Sequence, residues 1–121
     1  LEFVYELFPR LYERENQYAG TLSGGERKMM AIGRGIMSSP RLMLVDEPSL
    51  GLAPMLTNEV FKSLRTLNKR GTTILLVEQN VGKTLKTSSR AYILEKGKIV
   101  LDGKSADLAN DDHVRKIYLG H

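Results

Sequence analysis

The chain has 121 residues, 41% hydrophobic and 26% charged, which suits one globular domain with a modest core. It contains no Cys, so disulfides and thiolate metal sites are excluded and an intracellular setting is permitted. Lys and Arg outnumber Asp and Glu by 18 to 14, but the basic residues are scattered and often sit beside acids. That is the pattern of a solvated surface; a nucleic-acid footprint needs clustering, so no nucleic-acid partner is expected. No apolar run approaches the roughly 20 residues of a spanning helix, and no signal-peptide pattern opens the chain, so a membrane role is expected to pass through a partner. Leu1 already lies inside a helical pattern without an initiator Met, as in a fragment of a longer protein.

Phe3, Val4, Leu7, Phe8 and Leu11 recur at helical spacing, predicting an amphipathic helix from Leu1 to about Arg14 with a bend at Pro9. Residues 15–22 are polar and end at Ser23, a natural helix cap. From Gly25, the positions Met29, Ile32, Gly33, Ile36 and Met37 mark one helix face, which Ser38-Ser39-Pro40 stops. Met29, Met30 and Met37 read as core packing. Leu42 to Val45 is a continuous apolar run, the signature of a strand buried on both faces. Glu59, Val60, Phe61, Leu64 and Leu67 describe a further helix, ended by Gly71, and Thr72 to Val77 a second buried strand. A short helix is predicted over Val81 to Thr87. Ala91–Leu94 and Lys98–Leu101 flank a hairpin turn at Glu95-Lys96-Gly97. Asp102-Gly103 then turns the chain into a helical tail from Ser105 to Leu119, where His113 reads as a surface residue, as does His121 beyond it. The order predicts an α/β fold, a parallel core with an antiparallel hairpin added.

Two runs carry chemistry. Leu22-Ser23-Gly24-Gly25-Glu26 places a hydroxyl and two residues without side chains at a helix start. Such a start offers unpaired N–H groups and a positive dipole end to a phosphate; its plain alternative is a helix cap with a flexible lead-in. Two consecutive glycines destabilise a helix unless something must approach the backbone closely. Leu42-Met43-Leu44-Val45-Asp46-Glu47 ends an apolar strand in adjacent carboxylates. At the carboxyl end of a parallel strand they face the crevice where α/β sheets bind ligands, and as consecutive strand residues they are expected to point opposite ways. No G-x-x-x-x-G-K-[ST] phosphate loop occurs in the chain.

These runs resemble the signature and Walker B motifs of ATP-binding-cassette (ABC) ATPases. Asp46-Glu47-Pro48-Ser49-Leu50-Gly51-Leu52-Ala53-Pro54, Val77-Glu78-Gln79-Asn80 and the terminal Tyr118-Leu119-Gly120 look like one subgroup, the LivF-type ATPase of branched-chain amino-acid uptake. Most cassette ATPases carry His where Gln79 stands, and many carry Asp where Ala53 stands; Gln and Ala-Pro are typical of this subgroup. The resemblance covers nearly the whole chain and implies a P-loop NTPase fold, present as the C-terminal half of a nucleotide-binding domain. Residues 1–40 would be its helical subdomain and signature helix, and residues 41–121 the Walker B half of the core with the tail. The resemblance implies ATP and Mg2+ as ligands. Asp46 would hold the metal through water, Glu47 would be the general base, and Gln79 would contact the γ-phosphate. Ser23, Gly24, Gly25 and Glu26 would meet the ATP bound by a second ATPase subunit, identical or paralogous. Transmembrane permease subunits would complete the assembly at the cytoplasmic face of the membrane. Three other readings stand beside it: an ATPase of lipid or lipopolysaccharide export, where His is expected at position 79; a cassette protein of DNA repair or translation; and a non-catalytic remnant.

Overall fold

Pro9 breaks the first helix instead of bending it. Its ring drives Phe8 out of the helical region (φ −131°, ψ 75°), so helix α1 (Glu2–Leu7) stops and α2 (Pro9–Glu13) begins with Pro at its first position. In this computed structural model, which describes residues 1–120, α1 and α2 belong to a unit spanning Leu1–Val77; a second unit begins at Glu78. His121 lies outside the described residues.

A short 3-10 turn, Ala19–Thr21, leads to α3 (Gly24–Ile36), which buries Met29, Ile32, Gly33 and Ile36. A Cβ on Gly33 would lie 2.7 Å from Val4 Cγ1, so glycine is what lets α1 rest on α3. Of the three methionines expected in the core, only Met29 is there. Met30 and Met37 are exposed, because they sit at the margin of the α3 apolar stripe.

Strands β1 (Leu42–Asp46) and β2 (Thr73–Val77) pair in parallel, joined by α4 (Pro54–Lys69). Pro54 opens α4 a full turn before the apolar pattern becomes visible, and Gly71 follows its end with φ +104°. Val45, with Met43, Ile74 and Leu76 partly buried, packs on a core of Val4, Phe8, Met29, Ile32, Val60 and Leu64. The opposite face is open. Leu42 is 55%, Leu44 69%, Leu75 56% and Val77 53% exposed, so the expected burial on both faces does not hold in this chain. The α3 and α4 helices cover one side of the pair, and alternation sends every second side chain to the other.

In the second unit, Asn80 caps α5 (Val81–Thr87) through its side-chain oxygen. Strands β3 (Arg90–Glu95) and β4 (Lys98–Lys104) form an antiparallel hairpin whose two turn residues, Lys96 and Gly97, both have positive φ, as a tight primed turn requires. Asp102 and Gly103 are strand residues opposite Tyr92 and Ala91, not the predicted turn; Arg90 holds Asp102 at 2.6 Å. The tail is two helices, α6 (Ser105–Ala109) and α7 (Asp112–Tyr118). Asn110 is the C-cap of the first, and Asp111 accepts the amides of His113 and Val114 as the N-cap of the second. His113 is exposed on α7, as expected, with Nε2 3.6 Å from Glu95. A small core of Leu85, Ile93, Leu108 and Val114 closes this unit. The α/β fold with a parallel pair and an added hairpin is the one expected.

Candidate functional site

The glycine-rich turn is held from within. Ser23 Oγ accepts the Glu26 amide at 3.2 Å, and Glu26 Oε2 accepts the Ser23 amide at 2.8 Å, a reciprocal capping box. Glu26 Oε1 takes the Arg14 Nε–H at 2.6 Å. Arg14 also donates to Gln17, which reaches Thr21 Oγ1 at 2.9 Å, so the polar lead-in is laced to the helix start. Glu26 is buried, and the Ser23 amide, the Ser23 hydroxyl and Arg14 together hold its carboxyl below the usual carboxylate range against the opposing effect of burial. Its charge is thus turned toward the turn it supports.

The two glycines differ. A Cβ on Gly25 would sit 2.7 Å from Leu56 Cδ1 and 3.5 Å from Leu52 Cδ2, so close packing accounts for it. A Cβ on Gly24 would meet nothing within 4 Å. Ser23 and Gly24 are exposed, at the start of a 13-residue helix whose first N–H groups have no intrahelical acceptor. Nothing inside the protein asks for glycine at position 24, whereas an approaching anion would.

The second run ends differently from the expectation. Asp46 is the last residue of β1, exposed, and paired with Val77. Glu47 has already left the strand, with φ +43°. A left-handed turn, and not strand alternation, therefore relates the two residues. A non-glycine residue in that region costs of order 1–3 kcal/mol and persists only where its surroundings fix it. Here they do. The Glu47 amide donates to Val77 O at 2.8 Å, and the Glu47 carbonyl accepts the Leu50 amide at 3.2 Å and Lys28 Nζ at 3.3 Å; Lys28 also donates to Leu50 O. The contacts of Lys28 were not legible in the sequence because its partners are main-chain carbonyls, and those of Arg14 because no helical or strand period links it to Glu26.

Among the described residues no group of three or more His, Asp or Glu side chains gathers as a metal cage. Asp46, exposed at the end of β1, offers a hard carboxylate oxygen, which suits Mg2+, an ion that keeps waters and takes one or two carboxylates beside substrate phosphates. Gln79 stands exposed in the bend that opens the second unit, where its carbonyl accepts the Val81 amide at 3.0 Å. A groove of about 520 Å³ beside α1 and α4, lined by Phe3, Arg10, Glu59 and Arg70, contains none of the candidate residues.

Residues 5–50 match the ABC transporter family. Across 120 residues, 99% of the chain, identity is 52% to BraG, the high-affinity branched-chain amino acid transport ATP-binding protein of Pseudomonas aeruginosa, of which 52% is covered. Residues 5–50 thus carry an ABC-transporter segment, and the remainder of the chain is similar to ABC-transporter ATP-binding proteins. The chain is 41% identical over 100 residues to the lipopolysaccharide export ATP-binding protein LptB of Acidithiobacillus ferridurans, covering 83% of this chain and 42% of that one. Among solved structures, the cassette MJ1267 superposes with a TM-score of 0.79 at 29% identity, over 97% of this chain and 49% of its own. The chain thus spans about half the length of the relatives it matches, and its fold is that of the ABC ATPase family.

Proposed function

We propose that this chain is the signature- and Walker-B-bearing half of the ATP-binding subunit of a branched-chain amino-acid uptake transporter. The open backbone at Gly24, unexplained by internal packing, carries the nucleotide reading. The 52% identity to BraG along nearly the whole chain supports the solute class, and identity to the lipopolysaccharide-export relative is lower. Gln79, where the export reading expects His, points the same way.

Two subunits, identical or paralogous, would enclose ATP between them. A cassette of 25% identity, MJ0796, has been solved as a dimer bound to ADP and Pi, and this chain matches it with a TM-score of 0.64 over 71% of its length. Ser23 and the Gly24 and Gly25 amides would meet phosphate oxygens of the ATP held by the partner, the helix N-terminus favouring their charge. Glu26 would act from behind, fixing the turn. Asp46 would hold Mg2+, which neutralises phosphate charge when bound. Glu47 would orient and deprotonate the attacking water, and the Gln79 amide would donate to the γ-phosphate. The phosphate loop would come from the other half of the subunit. No helix among the described residues is long and apolar enough to cross a membrane, consistent with a peripheral subunit that acts on permease subunits from the cytoplasmic face. The division into residues 1–40 and 41–121 is a proposal about roles within that subunit.

Uptake of radiolabelled leucine, isoleucine and valine by cells whose complete subunit carries Glu47→Gln tests the reading. Uptake should fall to background with lipopolysaccharide assembly intact; unchanged uptake with failed lipopolysaccharide assembly would move the protein to the export class.

A further inference from the structure

We infer that Lys28 is a positioning residue that locks the signature turn and the Glu47 loop of one protomer into a single body, and thereby couples the two nucleotide sites of the dimer. The coupling rests on the two-subunit reading proposed above; the lock itself rests on geometry alone. Lys28 is half-buried in α3, one turn beyond Gly24 and Gly25. Its ammonium donates to the carbonyls of Glu47 and Leu50, the first and last residues of the turn that follows β1. Hydrogen bonds from a charged donor are about twice as strong as neutral ones, and two carbonyls on one ammonium fix the turn's orientation as well as its position. A second contact lies one helical turn earlier, where the side chains of Leu52 and Leu56 pack on Gly25, and a Cβ there would lie 2.7 Å from Leu56 Cδ1 and push that side chain aside. Between these contacts, α3 and residues 47–56 have little freedom to move separately. The held segment includes Glu47 in its left-handed conformation, the feature that most needs outside support.

In the two-subunit arrangement, Ser23 and Gly24 touch ATP bound by the partner, while Glu47 acts on ATP bound by its own subunit. A displacement of the signature turn by one ATP therefore reaches the base serving the other. Ligand at either site biases one shared element, which is what an equilibrium coupling requires.

Lys28→Met in the complete subunit removes both donors and keeps the aliphatic stem, whereas Lys28→Arg keeps charge and donors. In the Met variant kcat should fall about tenfold or more while KM for ATP stays within about threefold, and the Hill coefficient for ATP should drop toward one. Hydrogen exchange at the Leu50 and Leu52 amides should quicken without ATP, and the Arg variant should recover most of the lost rate. Wild-type kcat and Hill coefficient in the Met variant, or an Arg variant as slow as the Met variant, overturns the inference. A measurement on the unmutated subunit does not depend on how the variants fold. Titrated with ATP, residues 23–28 and 47–52 should gain exchange protection over one concentration range, and two separate ranges overturn the lock. If the unmutated subunit shows no ATP-driven dimerisation, the two-subunit reading falls and the coupling with it.

Discussion

Asp46 and Glu47 are neighbours in sequence to which the backbone gives different conformations. Asp46 keeps strand geometry beside Val77, and Glu47 is swung out by a positive φ. Glu47→Gln preserves shape and hydrogen bonding but removes the base, so ATP-driven dimerisation should survive while turnover falls by about 100-fold or more. Steady-state ATPase near wild type in the complete subunit would remove Glu47 from the base role. At Gln79, substitution by His retains a donor for a phosphate oxygen, and Ala does not. Gln79→His should keep more activity than Gln79→Ala; an Ala variant as fast as the parent would make Gln79 a plain polar strand exit. Glu26 gives a pH signature. Its carboxyl ionises below the usual 4.5 in the folded chain, so its contribution is complete above that value and fades as pH falls through the lowered one. Glu26→Gln should lower thermal stability near neutrality, by about 1 kcal/mol if it acts as a cap partner, and flatten the acid limb of the stability curve. Melting temperatures of both proteins across the acid range check this; parallel curves would mean that another carboxylate sets the limb.

At the scale of elements, the α3 start separates stability from function. Gly24→Ala places its methyl in open space and should leave the fold intact, even stabilising it by up to about 1 kcal/mol through helix propensity. The same methyl stands where a phosphate oxygen would approach, so ATPase in the complete subunit should drop sharply. Full activity in Gly24→Ala would return this glycine to the role of a flexible lead-in. The elements also show what patterning can and cannot convey. Helices over Gly24–Ile36 and Val81–Thr87 and the hairpin turn at Lys96-Gly97 were legible because caps and turn residues act locally. Period told which positions of β1 and α3 are apolar, but not which are covered, so Leu44 and Met37 were misplaced in a core. Asp102-Gly103 carries turn composition, yet pairing with Tyr92 and Ala91 keeps it in the sheet, a tertiary effect that no local signal announces. The tail was read as one helix because Asn110-Asp111 tolerates either role until Asp111 finds two amides to cap. The candidate site followed the same division: its candidate side chains come from motif, and the contacts that Arg14 makes with Glu26 and Lys28 with the Glu47 carbonyl depend on the fold.

For the whole molecule, the open face of the β1–β2 pair decides how these residues behave alone. Leu42, Leu44, Leu75 and Val77 form a contiguous apolar surface, with Leu44 directly opposite Leu75, and a parallel pair is ordinarily covered on both faces. Two strands also present unpaired edges, which template self-association. The isolated 121 residues should therefore sediment as oligomers, and Leu44→Lys combined with Leu75→Glu, an opposed charge pair on the open face, should shift them toward monomer. Neither preparation should hydrolyse ATP. The chain has Asp46, Glu47 and a capped helix start, but no phosphate loop whose Lys would hold the β- and γ-phosphates. Phosphoryl transfer is accelerated almost wholly by positioning and charge stabilisation, so a site lacking that loop has little with which to act. The helix start offers a few amides and a partial charge, worth about 0.3–1 kcal/mol near the surface, far short of the roughly 8 kcal/mol of micromolar binding. Calorimetry on the monomeric double variant should show no saturable ATP heat. Micromolar affinity there would place the nucleotide on these residues alone and overturn the division of the site between two halves and two subunits.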